Sequence, residues 1–151
     1  MKNSDTVPQQ KNNMVLQVGV KALLRNQEGK FLIVHRSKEK YPEVKNLWDI
    51  VGGRIEPGTN VVDNLKREIF EETKLELKHH PMLLAAQDII KPDKHVVRLT
   101  YMAPIEGEPV LDAEHDDFMW ASVEDIIALP GLDDYLSQLL LTAKEQDQKG
   151  K

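Results

Sequence analysis

The chain contains no cysteine, which removes disulfides, a thiol nucleophile, a cysteine-type zinc site and an iron–sulfur cluster from the functional options. Any metal must therefore sit on oxygen or imidazole. Positive charge is also short. Twenty Lys and Arg stand against 25 Asp and Glu, a formal net charge of -5, the wrong sign for a protein that tracks a nucleic-acid backbone. A small anionic substrate would need local cations or a metal. Long apolar runs are missing as well. The most apolar stretch near the N-terminus, Met14 to Leu24, is interrupted by Gln17 and Lys21, far from the roughly 20 apolar residues of a membrane span. No membrane partner is expected. Met1 to Asn13 is polar and lacks the apolar core of a secretory signal, so the cytoplasm is the expected compartment.

What is present suits one folded domain: 151 residues, 40% apolar and 30% charged, enough chain to bury a core. The expected organisation is a flexible tail over residues 1–13, a single domain over 14–143 and a second flexible tail over 144–151. Gln17 to Leu24 alternates loosely, meets Asn26-Gln27-Glu28-Gly29, and is followed by the apolar run Phe31 to Val34, the pattern of a β-hairpin. Leu47 to Val51 reads as a short strand broken by Gly52-Gly53, which let backbone approach a neighbour closely. A helix is expected between Gly58 and Leu75, with Asn60 as N-cap and Asp63 three residues on. Further strands are expected over Leu83 to Ile90, Val96 to Ala103 and Phe118 to Ala121, with a turn at Pro92-Asp93-Lys94. Ser122 with Asp125 opens a short helix ahead of Pro130, and Leu132 to Ala143 has the spacing of a last helix. No repeat or linker interrupts the series, so strands and helices share one mixed α/β core.

The segment Arg67-Glu68-Ile69-Phe70-Glu71-Glu72 carries the chemistry. At about 100° per residue its three glutamates fall within an arc of roughly 100° on one helix face. Glu68 and Glu72 lie beside Val61 and Leu65, at the edge of the buried stripe, where a low dielectric sharpens their mutual repulsion. A Glu-rich run is ordinarily a solvated face, here paired with Lys66 and Arg67. Three clustered carboxylates near a glycine carbonyl also suit a hard divalent cation, Mg²⁺ or Mn²⁺.

Read outward, Gly53, five residues, Thr59, seven residues and then Arg67-Glu68-Ile69-Phe70-Glu71-Glu72-Thr73-Lys74-Leu75 resembles the Nudix box of the Nudix hydrolases. Seven of its nine fixed positions match: Gly53, Arg67, Glu68, Ile69, Glu71, Glu72 and Leu75. The lead-in Trp48 to Gly58 is similar too. Thr59 stands where the family has glutamate, and Lys74 where it has glycine. A Lys there requires a left-handed residue or an extra helical turn, at a cost near 1 kcal/mol. The glycine spacing of Gly53 to Thr59 is not a phosphate-cradling P-loop, because Gly58 is followed by Thr59 without the lysine.

The resemblance implies an α/β fold, a Nudix-like α/β/α sandwich with a mixed β-sheet and the acidic helix. It implies hydrolysis of a nucleoside diphosphate linked to another group, with a nucleoside or deoxynucleoside triphosphate as the first expectation. A dinucleoside polyphosphate or nucleotide-sugar hydrolase, or a non-catalytic nucleotide-sensing module, is the alternative. Glu68, Glu71 and Glu72 would be catalytic, with Glu68 nearest the general base, and with the Gly53 carbonyl they would hold Mg²⁺, Mn²⁺ being able to replace it. Glu114, beside His115, would add a metal ligand. Arg36 and Arg54 would bind substrate phosphates, since Arg offers a planar fork to phosphate oxygens, and Trp48 would stack on a base or join the core. The implied partner is a small nucleotide; a homodimer is compatible with the sequence. His35, His79, His80 and His95 lack zinc-type spacing and are assigned to surface or packing roles.

Overall fold

The structure, a computed structural model, describes residues 13–149; residues 1–12 of the expected N-terminal tail and the last two residues lie outside that range. Seven strands form one mixed sheet: β1 (Val15–Arg25), β2 (Phe31–Arg36), β3 (Trp48–Asp49), β4 (Val51–Arg54), β5 (Met82–Ile90), β6 (Lys94–Pro104) and β7 (His115–Ala121). Three helices, α1 (Val61–Thr73), α2 (Val123–Ile127) and α3 (Asp134–Lys149), complete the described chain. The strand order is β3-β2-β1-β6-β5, with β4 added to β1 and β7 to β2. β1 and β6 run parallel from Val15↔Lys94 to Arg25↔Pro104, and the other pairs are antiparallel.

Period-two alternation sends successive side chains to opposite faces, and this sorts the apolar residues into two cores. Val20, Ala22 and Leu24 of β1, with Leu32 and Val34 of β2, pack against Leu65 and Ile69 of α1. Leu23 and Ile33, one step out of phase, meet Ile126 of α2 and Leu136, Leu139 and Leu140 of α3. The sheet is thus sandwiched between α1 on one side and α2 with α3 on the other, the expected α/β/α arrangement. Among the described residues no helix is long and apolar enough to cross a membrane.

The helix caps follow the sequence. Asn60 Oδ1 accepts the Asp63 N–H at 2.9 Å and Asn60 Nδ2 donates to Asp63 Oδ2 at 2.8 Å, which satisfies one of the free N–H groups of the first turn. Lys74 ends α1 in the left-handed region, φ 62°, with its N–H on Phe70 O at 2.8 Å. Two expectations change. The strand over Leu47 to Val51 splits at Ile50, whose N–H donates to Asp49 Oδ1 at 2.7 Å and is lost to the ladder; β3 then pairs with β2 while β4 crosses to β1. The last helix, expected over Leu132 to Ala143, spans Asp134–Lys149.

Candidate active site

Helix α1 crosses the sheet beside β4, and close backbone approach sets the distance. Gly52 has φ 142°, and a Cβ there would collide with the Val20 carbonyl oxygen of β1. A Cβ on Gly53 would strike the Glu68 carboxylate. The double glycine is therefore the groove that admits a helix carboxylate against the strand backbone. Asn64, fully buried, fixes the loop between β4 and α1 by accepting the Glu56 N–H at 3.1 Å and donating to Arg54 O at 3.2 Å.

The three glutamates divide by burial. The Glu72 side chain is 9% exposed, and its carboxylate faces the Gly52 N–H at 3.3 Å. Glu68 is 16% exposed and 3.7 Å from Arg67. Glu71 is 55% exposed and pairs with Arg67 at 3.2 Å. Burial pushes the Glu72 carboxyl up to about 8; Lys21 and the Gly52 N–H oppose this, and Glu68 and Asp112 add to it. Burial likewise raises Glu68, against the pull of Arg67. Two carboxyls held above their ordinary range beside each other are what an added cation would relieve. Their oxygens, with the Gly53 carbonyl, are hard donors of the kind Mg²⁺ takes. Among the described residues no three His, Asp or Glu side chains converge as a finished cage, and Glu71 is paired with Arg67.

These groups line a cleft of about 630 Å³ that also takes in Arg36, Arg54, Tyr41, Glu114 and His115. Arg36 lies over the Tyr41 ring, 5.4 Å from its centroid. Arg54 is exposed and bonds Gln17. Glu114 accepts the Tyr41 hydroxyl at 2.5 Å, a bond that pushes the Tyr41 phenol up to about 12. His115 reaches the acidic wall itself, with Nε2 3.7 Å from Glu72 Oε1 and Nδ1 2.7 Å from Asp112 Oδ1.

The sequence-derived residues thus meet in one place with one exception. Trp48 is not at the cleft. It packs with the α2–α3 core and meets His35 edge to face, ring centroids 4.8 Å apart. Its pairing opposite His35, in line with Ile33 on β2, puts its side chain on the core side of β3, so the stacking role is withdrawn. The sequence reading also missed a buried ionic floor. Asp49 is 3% exposed, and Lys21, Arg98 and Arg36 surround it at 3.2, 3.0 and 3.8 Å. Burial pushes the Asp49 carboxyl up, but Lys21 and Arg98 outweigh it and hold the group at about 2. The available signals were a lysine inside the apolar run of β1 and an arginine inside the apolar run of β6.

With this geometry in place, comparison with known proteins is direct. The family model described as NUDIX domain matches residues 15–141. A curated mouse (Mus musculus) protein, "Nucleoside diphosphate-linked moiety X motif 6", is 32% identical over 76 residues, which is 50% of this chain and 23% of that protein. The chain therefore matches less than a quarter of that relative's length. Among solved structures, a MutT protein from Methanosarcina mazei Go1 superposes with a TM-score of 0.76 at 23% identity, over 89% of this chain and 96% of that one. A MutT NUDIX hydrolase from Burkholderia pseudomallei gives 0.69 at 27% identity, over 83% and 95%. A match that runs from the first strand into the last helix and contains the acidic helix and the double glycine makes this chain a member of the Nudix domain family.

Proposed function

We propose that the chain is a Mg²⁺-dependent hydrolase of nucleoside diphosphates linked to another group, acting on nucleoside or deoxynucleoside triphosphates. The observation that carries the reading is the placement of the Glu68 and Glu72 carboxylates against the Gly52-Gly53 backbone, in a cleft that also contains arginines. Glu68, Glu71 and Glu72, with the Gly53 carbonyl, would hold the cation, and Glu114 is within the same cleft to add a ligand. Bound there, Mg²⁺ would supply charge neutralisation for the diphosphate and polarisation of a water. Glu68, the carboxylate set closest against Gly53, would accept the proton of the attacking water. Arg36 and Arg54 hold substrate phosphates; Arg36 turns towards the cleft from the end of β2, while Arg54 is more exposed and contributes less.

Against the sensing-module alternative, which Thr59 and Lys74 favour, Lys74 ends α1 while Glu68, Glu71 and Glu72 still line the cleft. Thr59 leaves Glu68, Glu71 and Glu72 whole. The deciding experiment measures phosphate and pyrophosphate release from a panel of nucleoside triphosphates, dinucleoside polyphosphates and nucleotide sugars, with Mg²⁺ and with EDTA. Mg²⁺-dependent release from a triphosphate is expected; binding without turnover of any compound would return the sensing reading.

A further inference from the structure

The floor of the cleft differs in character from its acidic wall. On the α3-facing side of β1 the row that includes Leu23 continues with Lys21, and on β6 Met102 gives way to Thr100 and Arg98. The core face turns ionic there, just ahead of the first turn of α3. Lys21 Nζ lies 3.2 Å from Asp49 Oδ2 and donates to Ile50 O at 3.2 Å. Arg98 meets Asp49 Oδ1 at 3.0 Å and Asp133 Oδ2 at 3.1 Å, and Arg36 Nη2 stands 3.8 Å from Asp49 Oδ2.

Three basic side chains thus face two carboxylates in the floor, Asp49 and Asp133, while burial lowers the Lys21 pKa and Lys21 also lies in the field of Glu72 on the wall. Arg98 is 5% exposed and its Nε has no partner. Buried unbalanced charge is costly unless a counter-ion or hydrogen bonds compensate it. Lys21 has three N–H donors and two acceptors, so one donor remains. The Arg36 guanidinium, 33% exposed, has no acceptor within hydrogen-bond distance among the described residues. Arg98, with both terminal nitrogens engaged, adds field and not contacts. All three line the same cleft as Glu68 and Glu72.

We infer that this floor is an anion subsite for the end of the substrate remote from the scissile diphosphate, with Lys21 and Arg36 as its contacts. It gives the chain a preference for linked groups that carry their own phosphate over neutral ones such as an unphosphorylated sugar. The word substrate rests on the hydrolase reading; the anion subsite itself does not. An aspartate held between a lysine and an arginine could instead be a clamp that ties β3 to β1 and β6, and the test separates the two.

The first arm titrates inorganic tripolyphosphate calorimetrically into the full chain in EDTA, comparing the native protein with Lys21→Met/Asp49→Asn. Changing both residues avoids stranding a buried carboxylate and leaves the floor's net charge unchanged, so the comparison reads the loss of the Lys21 contact itself. The native protein is expected to bind, and the double variant to bind at least tenfold more weakly. The second arm measures, with Mg²⁺, the ratio of kcat/KM for a nucleoside triphosphate to that for a nucleoside diphosphate hexose. The ratio should fall at least tenfold in the double variant, through loss on the triphosphate alone. Should the double variant fail to fold, Lys21→Gln, which keeps a side-chain donor in place of the Nζ bond to Ile50 O, carries the same two expectations. A clamp predicts a lower melting temperature with affinity and ratio unchanged, and that result overturns the subsite. Floor-dependent tripolyphosphate binding without hydrolysis of any nucleotide would leave the subsite standing and remove the hydrolase reading; hydrolysis with a floor-independent ratio would do the reverse.

Discussion

Glu72 and Asp49 both carry carboxylates buried at one cleft, yet burial leads to opposite outcomes. Glu72 is pushed up to about 8, because a single lysine and one backbone N–H do not offset desolvation and the neighbouring Glu68 and Asp112. Asp49 is held at about 2, because Lys21 and Arg98 both contact it. Desolvation disfavours the charged form in both places, and the number of cations within contact decides the sign. The cleft is therefore polarised: a wall short of positive charge, built on one helix, faces a floor lined with basic side chains, built from β1, β2, β3 and β6.

The largest effect expected from breaking this contrast is on stability. Asp49→Ala strands Lys21 and Arg98 without their shared partner, and removing one member of a buried ion cluster costs roughly 3–5 kcal/mol. Denaturant unfolding of the metal-free protein measures it, and a loss under about 1 kcal/mol would mean that water, not Asp49, neutralises the floor. The wall should respond in the other currency, activity. Glu68→Gln or Glu72→Gln leaves the fold intact and lowers turnover with Mg²⁺ at least a few hundredfold, since each factor of ten is about 1.36 kcal/mol of lost transition-state stabilisation. Near-native turnover in both variants, or full activity in EDTA, would remove the metal assignment from the wall.

The wall was legible in the sequence and the floor was not, for a physical reason. Glu68, Glu71 and Glu72 are neighbours because helix geometry makes residues three and four apart adjacent, and Asn60, Gly53 and Lys74 act through the same short stretch of chain. Their spacing contains their geometry. Arg98 and Asp49 meet across 49 residues, and only the register of β6 on β1 and the crossing of β4 bring them together. Lys21 was visible as an interruption of an apolar run, but its partner depended on the sheet order. Trp48 failed on the same ground: its face follows from its register opposite His35 of β2, and no local periodicity encodes that pairing.

The wall should also reveal itself through pH. The folded-state pKa of Glu72 lies above its unfolded value near 4.5, so the native protein binds the proton more tightly than the unfolded chain. The sign follows from linkage: that contribution is fully present below about pH 4.5 and is lost as pH rises towards about 8. The metal-free protein should accordingly lose stability across that window, on the order of 2–4 kcal/mol from this group, while Asp49, titrating well below it, contributes no slope there. Glu72→Gln should flatten the profile, and so should saturating Mg²⁺. An equal slope in Glu72→Gln would assign it to other groups.

Between wall and floor stands Arg36, 3.8 Å from Asp49 and turned towards the cleft. A lysine keeps its charge but not the planar fork that grips two phosphate oxygens. Arg36→Lys should lower kcat/KM on the best triphosphate at least tenfold, and Arg54→Lys the same or less, because Arg54 is exposed and already bonded to Gln17. Steady-state kinetics at two ionic strengths checks both; native kcat/KM with native salt dependence would make them surface residues.

The smallest effect asks whether the wall depends on how its helix ends. Lys74 is the one non-glycine residue with positive φ among the described residues, at 62°, and a left-handed lysine costs about 1 kcal/mol relative to glycine. Two terms oppose the gain from Lys74→Gly. Its ammonium lies 5.3 Å from the Phe70 ring centroid, an exposed cation–π contact worth about 0.5 kcal/mol, and glycine adds freedom to the unfolded chain. The net stabilisation should therefore be about 0.5 kcal/mol or less, a rise in Tm of roughly 1–2 °C. Catalysis should not change, because the C-cap lies a turn beyond Glu71 and its N–H bond to Phe70 O does not require a side chain. A calorimetric scan and a kcat measurement on the one variant test both halves. A change in kcat without a change in Tm would show that the left-handed lysine positions Glu71 and Glu72, and that the wall extends one residue past the helix.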